Sequence, residues 1–339
     1  MSNHEKRASS HLDYLDGWRG IAILLVLIGH FGGDKYIWTD LSKFGVEFFF
    51  VLSGRLMAEI LFVRKVNLTR FFIRRFSRIY PALLFFVCVV TIIAWNTEYR
   101  HGLAAAVLAL TFTINYAMIL THHVALLDHL WSLCVEEHSY VLLAMIAMLV
   151  RKLDWSTSNI LLSVGILAIT SGLIGHYVFH LDFFDNAWRS DVASAGLFLA
   201  GGAWLKFRKT PIAPWLPFVA LFMAIAFRIT DNYVLRFGVS TILLAISVAT
   251  IGLSNTAARS IIFESKGLRL LGTWSFSLYI WQQPFYKISV DGELPSLVYM
   301  LPATACALVS FYLIERPTRN AINSYFDKHF RKRLNEHHA

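Results

Sequence analysis

What most constrains this chain is that its apolar residues come in long unbroken runs, with basic residues gathered at their ends. Eleven runs stand out: Leu15–Phe31, Phe44–Val63, Ile79–Trp95, Leu103–Leu120, Leu130–Val150, Ile160–Phe179, Val192–Phe207, Trp215–Ile229, Val234–Leu253, Leu268–Val290 and Leu294–Ile314. A helix of ~20 apolar residues crosses the hydrocarbon core of a bilayer, and a backbone exposed to lipid must satisfy its own hydrogen bonds. Such runs therefore predict membrane-spanning helices, not strands. With 56% hydrophobic and 16% charged residues and a mean hydropathy of +0.54, the chain is too apolar for an ordinary soluble domain. Its 339 residues leave room for about ten spans and for no sizeable soluble domain besides.

Charge sets the expected topology. A net charge of +9 and a pI near 9.5 would suit nucleic acid, but Lys and Arg placed at run ends are what the positive-inside rule produces. The densest basic stretch holds Arg64, Lys65, Arg70, Arg74, Arg75 and Arg78, which places that loop in the cytoplasm. The polar start, with Lys6 and Arg7 and no cleavage pattern after the first run, reads as a short cytoplasmic tail. Putting Arg151 with Lys152, Lys206 with Arg208 and Lys209, Arg259 with Lys266, and the tail residues Lys328, Arg331, Lys332 and Arg333 on that same side requires an even number of crossings. One run must then fail to cross, and Leu103–Leu120 or its neighbour is the weakest. The expectation is an all-α, polytopic transmembrane bundle of about ten helices with both termini cytoplasmic. Residues 1–13 form an N-terminal tail, 14–318 the transmembrane domain and 319–339 a basic C-terminal tail. No internal repeat is visible. Cys88, Cys134 and Cys306 fall in apolar stretches without paired spacing and read as buried thiols, not as a disulfide or a metal site.

Charged groups at bilayer depth are costly, so each is a candidate functional group with a partner to be named. Arg19 and His30 lie eleven residues apart in the first run, about three turns, and so share one stripe of a helix. His30 precedes the exit of that run and Glu47 follows the start of the next. The connection is short, so the two share a depth, and a carboxylate there would fix the imidazole tautomer and raise its basicity. Without Glu47, His30 would read as an interfacial histidine bonded to a carbonyl. Arg75 and Arg78 share a helix face near the level of Arg19, where guanidinium groups can bind phosphates. Arginines at a helix end ordinarily serve topology and headgroup contact, so charge alone does not make that site.

Other polar residues carry weaker signals. Arg55 and Glu59 are spaced to pair along one helix. Glu136 and Glu137, beside Trp131 and His138, fall at the depth of His30 and point in different directions. His122, His123, Asp128 and His129 match no zinc spacing and read as a solvated loop, so no metal is expected. Tyr279, Trp281 and Gln283 precede Pro284 within a run, where they either line a cavity around backbone freed by the proline or form an interfacial belt.

Together these residues resemble the acyltransferase-3 family of membrane O-acyltransferases, also called the O-acetyltransferase or nodulation-type family. The resemblance runs from LDGWRG to FYLIERP. It rests on Arg19 followed by His30, on GVEFFFVLSGRL from Gly45 to Leu56, on the Arg75 and Arg78 spacing, and on WSLCVEEHSY from Trp131 to Tyr140. It implies transfer of an acyl group, usually acetyl, from cytoplasmic acyl coenzyme A to a hydroxyl of a glycan or glycolipid at the outer side, in a bacterial inner membrane and without a metal. On this chain it implies His30 as catalytic base or acyl carrier with Glu47 orienting it. Arg19, Arg75 and Arg78 would bind the coenzyme A phosphates. Glu136, Glu137, Trp131, Tyr279 and Gln283 would serve the acceptor side.

Two departures accompany the resemblance. Many members have a histidine after the late tryptophan, whereas here Trp281 is followed by Gln282 and Gln283, which cannot exchange protons near neutrality. No esterase-like domain is expected after the spans, so onward transfer would need a separate partner or would not occur. The rival classes are a transporter or flippase, with His30 and Glu47 relaying protons, and a purely structural membrane protein.

Overall fold

The computed structural model describes residues 3–32, 35–120, 124–153, 155–182, 187–253, 263–292 and 294–336. His122, His123 and Arg259 lie outside these, and of Arg331, Lys332 and Arg333 only the backbone is described. Among the described residues every regular element is helical: α1 (Asn3–Phe31), α2 (Lys35–Ala58), α3 (Leu68–Ala94), α4 (Leu103–Leu110), α5 (Ile114–Leu120), α6 (Trp131–Lys152), α7 (Thr157–Tyr177), α8 (Ala195–Phe207), α9 (Leu216–Arg228), α10 (Ser240–Ile251), α11 (Lys266–Asp291), α12 (Ser296–Ser310) and α13 (Arg316–Glu336). Six of the described helical stretches are long and apolar enough to cross a membrane. The chain is an integral, multi-pass membrane protein. The run Leu103–Leu120 is broken into helices of 8 and 7 residues, with Phe112 between them in the left-handed region at φ 57°. At 1.5 Å per residue neither piece exceeds ~12 Å, too short to span a bilayer alone.

The bundle is built around α1, which packs against α2 on one side and α11 on the other, while α2 also packs on α8. Small residues permit the close approach, as expected where lipid supplies no hydrophobic drive between helices. A Cβ on Gly17 would fall 1.6 Å from the Phe263 carbonyl oxygen, and one on Gly54 of α2 would fall 1.8 Å from that of Leu197 on α8. Between these contacts Trp18 is fully buried, stacked between Phe48 and Phe263 at centroid distances of 5.2 and 4.2 Å. α3 starts cleanly because the Asn67 side chain accepts hydrogen bonds from the amides of Thr69 and Arg70 at 2.9 and 3.4 Å.

Short stretches widen into π-helical turns at Glu59–Val63 after α2, at Val234–Val239 before α10, and at Phe311–Glu315 joining α12 to α13. The last makes one continuous helical stretch from Ser296 to Glu336. Its basic end is not detached: Asp327 pairs with Arg70 and Arg74 of α3 at 3.3 Å each, and Ser77 donates to Asn323 at 3.1 Å.

Candidate active site

His30 occupies the last turn of α1. Its Nδ1 lies 2.6 Å from Oε1 of Gln282 on α11, and its ring stacks on Tyr286 at 4.3 Å with planes 14° apart. An amide oxygen can only accept, so Nδ1 carries the proton and Nε2 keeps its lone pair. His30, His129, Trp131, Gln283 and Lys287 line a cavity of about 270 Å³. Lys287 is held 3.7 Å from Asp128, and Gln283 donates to the carbonyl of Ala125 at 3.3 Å.

The expected pairing of His30 with Glu47 does not occur. Val46 lines the His30 cavity, and one residue further round α2 Glu47 points the other way. There it forms a buried ion pair with Arg228 of α9 at 2.8 Å, the two side chains 5% and 3% exposed. A rotation of ~100° per residue separates the two directions, and loop length alone does not fix it. Gln282, which the sequence marks only as a departure from the family pattern, takes the place expected for Glu47.

Val46 and Tyr279, which line the His30 cavity, also line a second cavity of about 70 Å³. The Tyr279 hydroxyl bonds the carbonyl of His129 at 2.8 Å and the Ser132 hydroxyl at 2.6 Å. Tyr279 is a wall of both cavities. Arg19, Arg75, Arg78, Ser53 and Glu136 line the second cavity. Arg19 and His30 thus face two chambers that share a wall, as their common helix stripe requires.

Glu136 and Glu137 do lie in different directions, but at another depth than expected. α6 begins within the bundle, so Trp131 faces the His30 chamber and Glu136, five residues on, is ~7.5 Å further along the axis, among the arginines. Glu136 accepts from Ser53 Oγ at 2.5 Å and from the Tyr140 hydroxyl. Glu137 accepts from Arg75 at 2.8 Å, and the Arg75 guanidinium lies 3.8 Å from the centre of the Tyr140 ring. Arg75 and Arg78 also line a third cavity, of about 340 Å³, together with Arg64, Arg70 and Arg74. Arg55 pairs with Glu59 as its spacing predicts, and Glu59 also binds Arg64 at 2.5 Å. Among the described residues no group of His, Cys, Asp and Glu is placed to hold a metal ion.

The geometry is therefore a chain of chambers, with guanidinium groups at one end and an imidazole at the other. The sequence profile of the acyltransferase domain matches residues 12–316. This chain belongs to the acyltransferase-3 family. It is similar to the O-acetyltransferase OatA of Staphylococcus aureus, 27% identical over 91% of this chain and 57% of the relative. It is likewise similar to the peptidoglycan O-acetyltransferase OatA of Listeria monocytogenes, 28% identical over 96% of this chain and 59% of that protein. A third relative, the putative peptidoglycan O-acetyltransferase YrhL of Bacillus subtilis, is 24% identical over 98% and 59%. The chain spans rather less than two thirds of the length of these curated relatives. No solved structure matches it.

Proposed function

We propose that this chain is a membrane O-acyltransferase that moves an acyl group, acetyl in the simplest case, from acyl coenzyme A to a hydroxyl of a glycan or glycolipid. The arginine end lies at the cytoplasmic face and the histidine end toward the far side of a bacterial inner membrane, with about ten crossings and both termini cytoplasmic. What carries this reading is the series of chambers with shared walls: Arg75 and Arg78 join the third to the second, and Val46 and Tyr279 join the second to the His30 chamber. A substrate with a polyanionic head and a long narrow arm fits such a series. Its phosphates would lie among guanidinium groups, which bind them bidentately, and its thioester would reach the imidazole.

The donor set fits the head group. Arg75 is already balanced by Glu137, but Arg78 has no ion-pair partner among the described residues and faces two chambers. At the other end, Gln282 leaves His30 Nε2 as a lone pair directed by a fixed ring, suited to take a proton from the acceptor hydroxyl or to attack the thioester carbonyl. Peptidoglycan is the acceptor in the names of two relatives, which favours a glycan hydroxyl here.

The test is thiol release. Purified protein given acetyl coenzyme A and a candidate glycan acceptor should free coenzyme A, and His30→Ala should abolish the release. A protein that frees no thiol but moves an anionic solute into sealed vesicles would be a transporter, and the reading would fall.

A further inference from the structure

The His30 chamber contains a second imidazole that this reading leaves without a task. His129 is 5% exposed, and among the described residues neither of its ring nitrogens has a hydrogen-bond partner. It is gripped as a ring: Phe86 meets it edge-on at 5.6 Å, and Tyr279 lies at 5.4 Å. Its backbone is fixed as well, because its carbonyl accepts from the hydroxyls of Tyr279 and Ser132 at 2.8 and 3.2 Å. The polar group from the backbone that acts on the ring without reaching hydrogen-bond geometry is the carbonyl of Ile280. Pro284, four residues on, has no amide to give that carbonyl. That free carbonyl can take one imidazole N–H, and the other ring nitrogen, buried and without a partner among the described residues, is left for something that enters the chamber.

We infer that His129 is a second catalytic residue, which takes the proton of the acceptor hydroxyl while His30 carries the acyl group. The inference rests on the acyltransferase reading above. His30 Nε2 attacks the thioester carbonyl, the N–C bond forms, the C–S bond breaks, and coenzyme A leaves as thiolate toward the arginines. The acylated ring, still protonated on Nδ1, bears a positive charge and no longer has a lone pair to act as a base. The acceptor hydroxyl then attacks the acyl carbon, its proton passes to a ring nitrogen of His129, the C–N bond breaks, and His30 returns to its neutral form. His129 finally gives its proton to the thiolate, so that thioester and alcohol have become ester and thiol. A single imidazole cannot be carrier and base in the same step, which is why two in one chamber matter. Lys43, Asp128, Arg189, Tyr279, Tyr286 and Lys287 are the other titratable groups lining it.

The experiment compares wild type, His129→Gln and His129→Phe with His30→Ala. Each purified protein is given acetyl coenzyme A alone, and thiol release and protein mass are followed. In cells carrying each variant, alkali-labile acetate in the envelope is measured. His129→Phe should fold, since it removes a buried polar group that has no partner, and His129→Gln keeps a neutral polar side chain of similar reach that cannot take up a proton. They should release about one equivalent of thiol and gain one acetyl mass on the peptide containing His30, while envelope acetate falls at least ~100-fold. Envelope acetate at the wild-type level in both variants would overturn the assignment. So would loss of the thiol burst in folded His129 variants, because acyl loading would then need His129 too. A wild type that forms no acetyl-protein, yet raises envelope acetate where His30→Ala does not, would overturn the carrier step and the inference with it, whereas envelope acetate equal in cells with and without the chain would overturn the acyltransferase reading itself.

Discussion

Gln282 Oε1 stands 2.6 Å from His30 Nδ1, across 252 residues of sequence. An amide in this place orients the ring through one hydrogen bond and brings no charge into the bilayer. It also cannot take up the proton it receives as a bond, so it fixes which nitrogen faces the chamber. Gln282→Leu keeps the volume but releases the ring. The expected result is a fall in kcat of about 10²-fold with little change in KM for the acyl donor, measured by thiol release. Gln282→Asn, one methylene shorter, should fall between the two.

Glu47 and Arg228 form an ion pair that leaves His30 untouched. Both side chains are nearly fully buried, and the Arg228 guanidinium also lies 4.8 Å from the centre of the Phe237 ring. Removing one partner strands the other charge, at a cost of about 3–5 kcal/mol, whereas replacing both by apolar groups is often neutral. Glu47→Gln should therefore lower the thermal midpoint sharply, and Glu47→Leu with Arg228→Met should recover most of the loss. Folded Glu47→Gln should keep a rate within a few-fold of wild type. A large loss of rate at unchanged stability would return Glu47 to the chemistry.

The residues that could be read in advance are those whose relationship lies within one helix. Arg19 and His30 share a stripe because eleven residues make three turns, and Arg55 meets Glu59 because four residues make one. The partners of Glu47 and His30 could not be read in this way. A short connection shows that α1 and α2 are neighbours, but not which way α2 is rotated. One residue of rotation gives the chamber to Val46 and sends Glu47 to Arg228, 181 positions away. Glu136 lies in a different chamber from His30 for a related reason. The apolar run shows where a span can begin, not that the 3₁₀ turn Asp128–Leu130 already lies within the bundle.

Helix spacing gives a prediction independent of the chemistry. An alanine Cβ at position 54 would sit 1.8 Å from a backbone oxygen of α8, which cannot yield as a side chain does. Gly54→Ala must push α2 from α8 and should cost about 1–3 kcal/mol or more. Gly267, inside the first turn of α11, meets nothing within 4 Å. Gly267→Ala should be neutral or stabilise by up to ~1 kcal/mol. Thermal denaturation of the two variants in one detergent checks both signs.

Two arginines of the second chamber should respond differently to the same change. Arg75 is held by Glu137 at 2.8 Å and lies over the Tyr140 ring, whereas Arg78 faces two chambers and has no ion-pair partner among the described residues. If the phosphates of the donor lodge there, Arg78→Gln removes one charge-assisted contact, worth roughly 1.5–3 kcal/mol. That corresponds to a rise in KM for acetyl coenzyme A of about 10–100-fold, with the fold intact and kcat little changed. Arg75→Gln should raise KM as well, but it also strands Glu137, so it should lower the thermal midpoint where Arg78→Gln does not. The two effects separate when KM and melting temperature are measured on the same preparations. An unchanged KM in Arg78→Gln would mean that the head group of the donor binds elsewhere.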